Sequence, residues 1–225
     1  MKIAVSGCLL GEAVRYDGGD KQNSFIVDEL AKYAELFSFC PESIVFGIPR
    51  PSVKLVKEDG SIRVKRNCDD IDVTQELKQG VLKELERLEG ASAIIFKARS
   101  PSCGLGSTTI FVENEVEHGY GLFAKACKER YPLLLMQEED KLDDPCLREQ
   151  FLTQLFAYGA FQRLKASNPK MQDLRGFHHR YTHLLQAKDE KLCNKLDGIV
   201  VEQDGAKFDM LLDRYETLFK TAIIS

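Results

Sequence analysis

The chain has 225 residues, 44% hydrophobic and 29% charged, with a formal net charge of −4. This is the balance of a soluble globular protein, long enough for one well-buried domain and a smaller companion. Lys and Arg are spread along the chain, which removes the basic stripe of a nucleic-acid binder, and apolar runs such as Leu133–Met136 fall far short of the ~20 residues of a membrane span.

The stretch Met1–Cys8 has too short an apolar run for a signal peptide, so a cytoplasmic location is expected. There thiols stay reduced, and the seven cysteines are not read as a disulfide framework. Ile3–Ser6 reads as a buried strand entering a turn at Gly7. Gly11 to Asp20 has the chemistry of a loop, and Ser24 to Ala34 has helical spacing. Glu35–Cys40 reads as a second strand stopped by Pro41. Pro49-Arg50-Pro51 excludes a central strand. Lys54 to Val64 forms a hairpin about Asp59-Gly60.

Asp72 and Gln75 have the spacing of a capping box for a helix ending near Leu88. Ala91–Lys97 is a third buried strand, Ala98–Thr109 a loop, and Thr109–Val112 a short edge strand. A helix over Leu122–Arg130 precedes a fourth buried strand at Leu133–Met136. Alternating strands and helices predict an α/β domain with an open, mainly parallel, Rossmann-like sheet flanked by helices. Beyond that the pattern is helical, over Leu147–Leu164, Leu174–Lys188 and Lys207–Thr221, with one weak strand signal at Gly198–Glu202. The expected division is residues 1–145 and a smaller α-helical domain at 146–225.

Cys8 lies past the first strand, Cys40 at the end of the second and Cys103 in the loop after the third. Ligands of open parallel sheets bind beyond the carboxyl ends of the strands, so three thiols distant in sequence converge on one crevice. Their spacing matches no zinc finger. Structural zinc takes a fourth protein ligand, and a 4Fe-4S cluster normally takes four cysteines. With three, one iron stays open. The plainer alternative is that the three are small core hydrophobes, although turn residues flank each. Cys127 and Cys193 read as core, and Cys68 and Cys146 as incidental.

Six fragments in fixed order carry a resemblance: Ser6–Gly11, Arg15–Gly18, Cys40–Glu42, Pro49-Arg50, Asp72–Thr74 and Arg99–Gly104. Together they resemble domain of unknown function 523, the family that includes the thiouracil desulfidases, over about residues 1–145. Leu174–Tyr181 with Leu184-Leu185 is similar to domain of unknown function 1722, here short. The first resemblance implies a 4Fe-4S cluster on Cys8, Cys40 and Cys103, with the open iron taking the sulfur of a thiocarbonyl substrate. It also implies Glu42 and Ser100 as acid–base and positioning groups. The chain departs from the family at Val14, where many members have cysteine, and at Val45-Phe46-Gly47, where a glycine-richer turn is usual.

The expected reaction replaces a thiocarbonyl sulfur with oxygen and releases sulfide from a small thiolated molecule such as a nucleobase. Glu42, two residues from a ligand, would activate water; its plainer role is a surface carboxylate. Ser100 would donate to substrate or cluster, or simply cap a turn. Arg15, Tyr16, Asp17 and Ser102 are expected around the substrate, with loop-holding roles as the alternative. His178, His179 and His183 are read as exposed histidines, although His179 and His183 have a metal-chelating spacing. The rival functional class is a non-catalytic iron–sulfur or metal-binding sensor.

Overall fold

The computed structural model describes residues 1–202 and 208–224. Contacts divide it into two compact units, Met1–Arg148 and Glu149–Ser225. In chain order the first unit holds β1 (Lys2–Ser6), β2 (Glu35–Phe39), α1 (Pro41–Phe46), β3 (Val53–Glu58), β4 (Ser61–Arg66), α2 (Thr74–Arg87), β5 (Ala93–Phe96), β6 (Leu105–Val112), β7 (Glu115–Tyr120), α3 (Leu122–Arg130) and β8 (Leu135–Glu138). Helix α4 (Pro145–Ala166) starts there and runs on to α5 (Met171–Lys188), α6 (Glu190–Val201) and α7 (Phe208–Ile224).

The first sheet has the order β2-β1-β5-β8, and every pairing in it is parallel. The fold is therefore the mixed α/β, mainly parallel arrangement that the alternation of elements predicts. Ile3, Ala4 and Val5 of β1 and all of Ala93–Phe96 are fully buried, as expected of parallel strands covered on both faces. The chain passes from β1 to β2 on one side, then crosses to β5 on the other, so the order reverses between β1 and β5. That reversal is where ligands of doubly wound sheets bind. Phe39 and Phe96, the last residues of β2 and β5, pack with Phe123 of α3 at centroid distances of 5.9, 4.9 and 6.1 Å. This apolar cluster lies directly beneath the strand ends.

The second sheet, β4-β3-β6-β7, joins β3 to β6 in parallel and is otherwise antiparallel. Several expectations change here. Thr109–Val112 is the end of an eight-residue strand, β6, and lies inside the sheet with β7 as the edge. A bulge between Leu105 and Thr108 and Gly106 at a φ of +100° interrupt the alternation that would reveal it. Strand β7 was not anticipated because it is almost wholly exposed and shows no apolar alternation.

Ser24–Ala34 is helical as its spacing predicts, unbroken from Ser24 to Lys32, but irregular in winding, a wide turn at Phe25–Glu29 running into a tight one at Leu30–Lys32. Ile26 and Leu30 are nonetheless both buried. The box at Asp72 and Gln75 does not form. Asp72 Oδ1 instead accepts from Thr74 N at 2.8 Å, and Thr74 Oγ1 accepts from Val64 N at 2.8 Å, tying α2 to β4.

In the second unit, Gly198–Glu202 is not a strand. Residues up to Val201 belong to α6, with Leu196, Ile199 and Val200 on its buried face. The expected helix start at Lys207 lies outside the described residues. The core gathers Phe161, Phe177, Tyr215 and Phe219. His178 is buried, not exposed: Nδ1 meets the Tyr215 hydroxyl at 2.9 Å and Nε2 meets Asp197 Oδ1 at 2.7 Å. His179 and His183 are exposed. Among the described residues no helix is long and apolar enough to cross a membrane.

Helix α2 approaches α1 through Gly80, where an added Cβ would lie 2.1 Å from the Pro41 carbonyl oxygen. Helix propensity alone would make Gly80→Ala stabilising by about 1 kcal/mol, whereas overpacking costs about 1–3 kcal/mol. Urea unfolding of Gly80→Ala is expected to show net destabilisation; a gain would mean that the two helices part freely.

Candidate functional site

A cavity of about 400 Å³ opens at the carboxyl ends of β1, β2 and β5. Cys8, Cys40, Glu42, Ser100, Ser102, Cys103, Arg15 and Tyr16 all line it. Asp17 does not; its Oδ1 lies 3.4 Å from Arg15 Nε and accepts from Gly19 N at 3.1 Å, so it shapes the loop that carries Arg15. Sequence reading had not singled out Arg50, Lys97 or Arg99 as site residues, yet they line the same cavity.

Each cysteine is delivered by a strand end. Cys8 sits in the tight turn Gly7–Leu10 after β1. Cys40 follows β2 in extended conformation and opens α1; its thiol faces the Val14 carbonyl oxygen at 3.8 Å. Cys103 ends the loop after β5. There the Ser100 hydroxyl accepts from Ser102 N at 3.2 Å and Cys103 N at 3.1 Å. The first turn of α3 clamps this loop, with Leu122 N donating to Pro101 O and Phe123 N and Ala124 N to Ser102 O. These helix-terminal N–H groups have no partner within the helix. The approach is close enough that a Cβ on Gly121 would lie 2.5 Å from Ser102 O.

Burial pushes the Cys8 thiol up to about 11; the charge of Cys40 adds to this, while Lys97 and Arg15 pull the other way. Cys103 is raised well above the usual thiol range, first by burial and then by Cys40, against a hydrogen bond from Ser6. These are environments in which a bare thiolate is costly, and any group bound through the sulfurs must displace their protons. Among the described residues, no set of three His, Cys, Asp or Glu side chains is arranged to hold a single metal ion. A tetrahedral zinc, with bonds of about 2.3 Å, would draw its thiolates to within about 4 Å of one another. Three thiols from three strand ends, with no histidine in the lining, are a donor set that fits a sulfur-ligated group.

Glu42 is the carboxylate of the lining. Its Oε2 accepts from Arg50 Nε at 3.3 Å and Nη2 at 3.1 Å, and its Oε1 accepts from Ser102 Oγ at 2.7 Å. A carboxylate offers about four lone-pair sites, so one on Oε1 stays open. Arg50 also donates through Nη1 to Val14 O at 2.9 Å and Gly47 O at 3.1 Å. It thereby ties the Val14 loop, α1 and its own loop together. Lys97 is held by Glu139, whose other oxygen accepts from Ala98 N at 2.5 Å. Ser6 Oγ accepts from Lys97 N at 2.9 Å, joining the ends of β1 and β5.

The Arg50 and Glu42 side chains are 3% and 13% exposed, and stranding one member of a buried pair costs about 3–5 kcal/mol. Arg50→Met is expected to lose stability of that order in urea unfolding. Arg66→Met, which opens a partly exposed pair with Asp69, should cost about 0–1 kcal/mol. Equal losses would remove Arg50 from its role as the clamp.

Comparison with known proteins bears on this site. The 2-thiouracil desulfurase family matches residues 3–139. A solved structure described as the 4Fe-4S-dependent thiouracil desulfidase TudS is 32% identical, with a TM-score of 0.51, over 63% of this chain and 93% of its own. No curated protein matches the chain. Since the family match spans residues 3–139, more than half of the chain and all the cavity-lining residues, the chain belongs to the 2-thiouracil desulfurase family.

Proposed function

We propose that this protein is a 4Fe-4S-dependent desulfidase that replaces the sulfur of a small thiocarbonyl compound with oxygen and releases sulfide. The observation that carries the reading is one cavity lined both by three strand-end thiols and by a carboxylate with a free lone pair. Cys8, Cys40 and Cys103 would hold the cluster. When bound, it would supply an iron without a cysteine ligand, a soft Lewis acid suited to sulfur. The structural neighbour's description as a 4Fe-4S-dependent thiouracil desulfidase supports this at modest identity.

The chain's own groups have distinct tasks. The open lone pair on Glu42 Oε1 accepts a proton from water as the water oxygen joins the thiocarbonyl carbon; the carbon–sulfur bond then breaks, and the departing sulfide takes up the proton that Glu42 held. Arg50 and Ser102 hold that carboxylate in place, so Ser102 acts on Glu42 and not on the substrate. Ser100 accepts two backbone N–H groups, which leaves its hydroxyl hydrogen free to donate into the cavity. Arg15 and Tyr16 offer a guanidinium and a ring, 5.4 Å from one another, to a planar substrate. The cavity volume, about 400 Å³, lies in the range of small-molecule sites. We assign residues 1–145 to this chemistry and 146–225 to a helical domain like domain of unknown function 1722.

Protein purified without oxygen is expected to carry about four iron and about four acid-labile sulfide per chain and to release sulfide from thiolated pyrimidines. Stoichiometric zinc, or no metal after anaerobic reconstitution, would sink the reading. Glu42→Gln should lower turnover by about 10²–10⁴-fold with iron content unchanged. Undiminished turnover would remove Glu42 from the reaction.

A further inference from the structure

Glu84 is a buried carboxylate outside the cavity, and the chemistry above does not use it. Its side chain is 1% exposed and stands on the buried face of α2 with Leu77 and Val81. A charge at such a position is costly unless it is paired and hydrogen-bonded. Oε1 accepts from the backbone N–H of Cys40 at 2.9 Å, and Oε2 accepts from Arg87 Nη1 at 2.7 Å. Arg87 in turn donates through Nη2 to Ser38 O at 3.0 Å.

Gly80, Glu84 and Arg87 follow one another at i, i+4 and i+7, one face of a helix. They meet Pro41, Cys40 and Ser38 in that order: a backbone-to-backbone approach at Gly80, an accepted N–H at Glu84 and a donated hydrogen bond at Arg87. One helix face therefore grips the main chain on both sides of Cys40. The Cys40 amide has no partner in a strand ladder, because β2 ends at Phe39. Beyond this grip, the Cys40 carbonyl accepts from Ser43 Oγ at 3.1 Å and Ile44 N at 3.4 Å, its thiol faces Val14 O, and Arg50 holds Glu42.

We propose that Glu84 is the positioning residue for Cys40: its carboxylate pins the Cys40 amide and so sets where the thiol enters the cavity. Its importance for cluster binding rests on the function proposed above, whereas the pinning of Cys40 does not.

The test compares Glu84→Gln, whose amide oxygen still accepts the N–H, with Glu84→Leu, which fills the space and accepts nothing. Glu84→Asp keeps the charge but is one methylene too short to reach. Alkylation of each cysteine in the metal-free protein is read by mass spectrometry, with exposed Cys68 and Cys146 as internal references. Iron and acid-labile sulfide are then measured after anaerobic reconstitution. Cys40 should label several-fold faster in the Leu and Asp variants, and those variants should retain less iron. The Gln variant should match wild type in both readouts.

Wild-type labelling of Cys40 in folded Leu and Asp variants would overturn the proposal, as would a Gln variant as loose as the Leu variant. If Leu abolishes the fold by circular dichroism, the Asp variant decides. Wild-type protein that binds no iron would remove the proposed function and leave the labelling result to judge Glu84.

Discussion

Parallel pairing of β1 with both β2 and β5 is the constraint on which the first unit depends. Parallel strands present their carboxyl ends on one edge, so the residues that follow them, Cys8, Cys40 and the loop to Cys103, must share one crevice. The order β2-β1-β5-β8 leaves a gap in the crossovers between β1 and β5, and the crevice opens there. The Phe39, Phe96 and Phe123 cluster packs against the strand ends from below. Loops with little apolar content of their own are thus anchored to a packed core.

Above that core the site is organised by charge. Arg50 brings a cation to Glu42 and two more hydrogen bonds to main-chain carbonyls. Glu139 does the reverse for Lys97, and Glu84 and Arg87 for the chain on either side of Cys40. Each buried ion of these sets has a partner of opposite sign and further hydrogen bonds, the condition under which a low-polarity setting tolerates charge. Together they leave the three thiols facing one space. They also leave a carboxylate lone pair and a hydroxyl hydrogen without a partner among the described residues. An acid–base step on a bound small molecule needs these elements, and the family match places the arrangement among 2-thiouracil desulfurases.

Much of this was legible in the amino-acid sequence because the signals are local. Continuous apolar runs such as Ala93–Phe96 mark buried strands, and a turn residue beside each cysteine marks a strand end. The order of the strands then follows from a few topological rules. Strand β7 and the true length of β6 were not legible, since an exposed edge and a bulged strand carry no alternation. The irregular winding of the helix at Ser24–Ala34 left no trace either, because Ile26 and Leu30 keep helical spacing through it.

By itself, then, the sequence determined an α/β domain with three strand-end cysteines and a helical sequel, through periodicity and the placement of turns. Only the tertiary structure decided which polar side chains serve the site and which serve the fold. Ser102 is directed to Glu42, Asp17 to Arg15 and His178 to Tyr215 and Asp197, while Arg50, Lys97 and Glu84 take parts that nothing in their neighbours announces. The reason is physical: a buried charge is defined by its partner, and these partners lie 8 residues away for Arg50 and Glu42, 42 for Lys97 and Glu139, and 44 for Glu84 and Cys40.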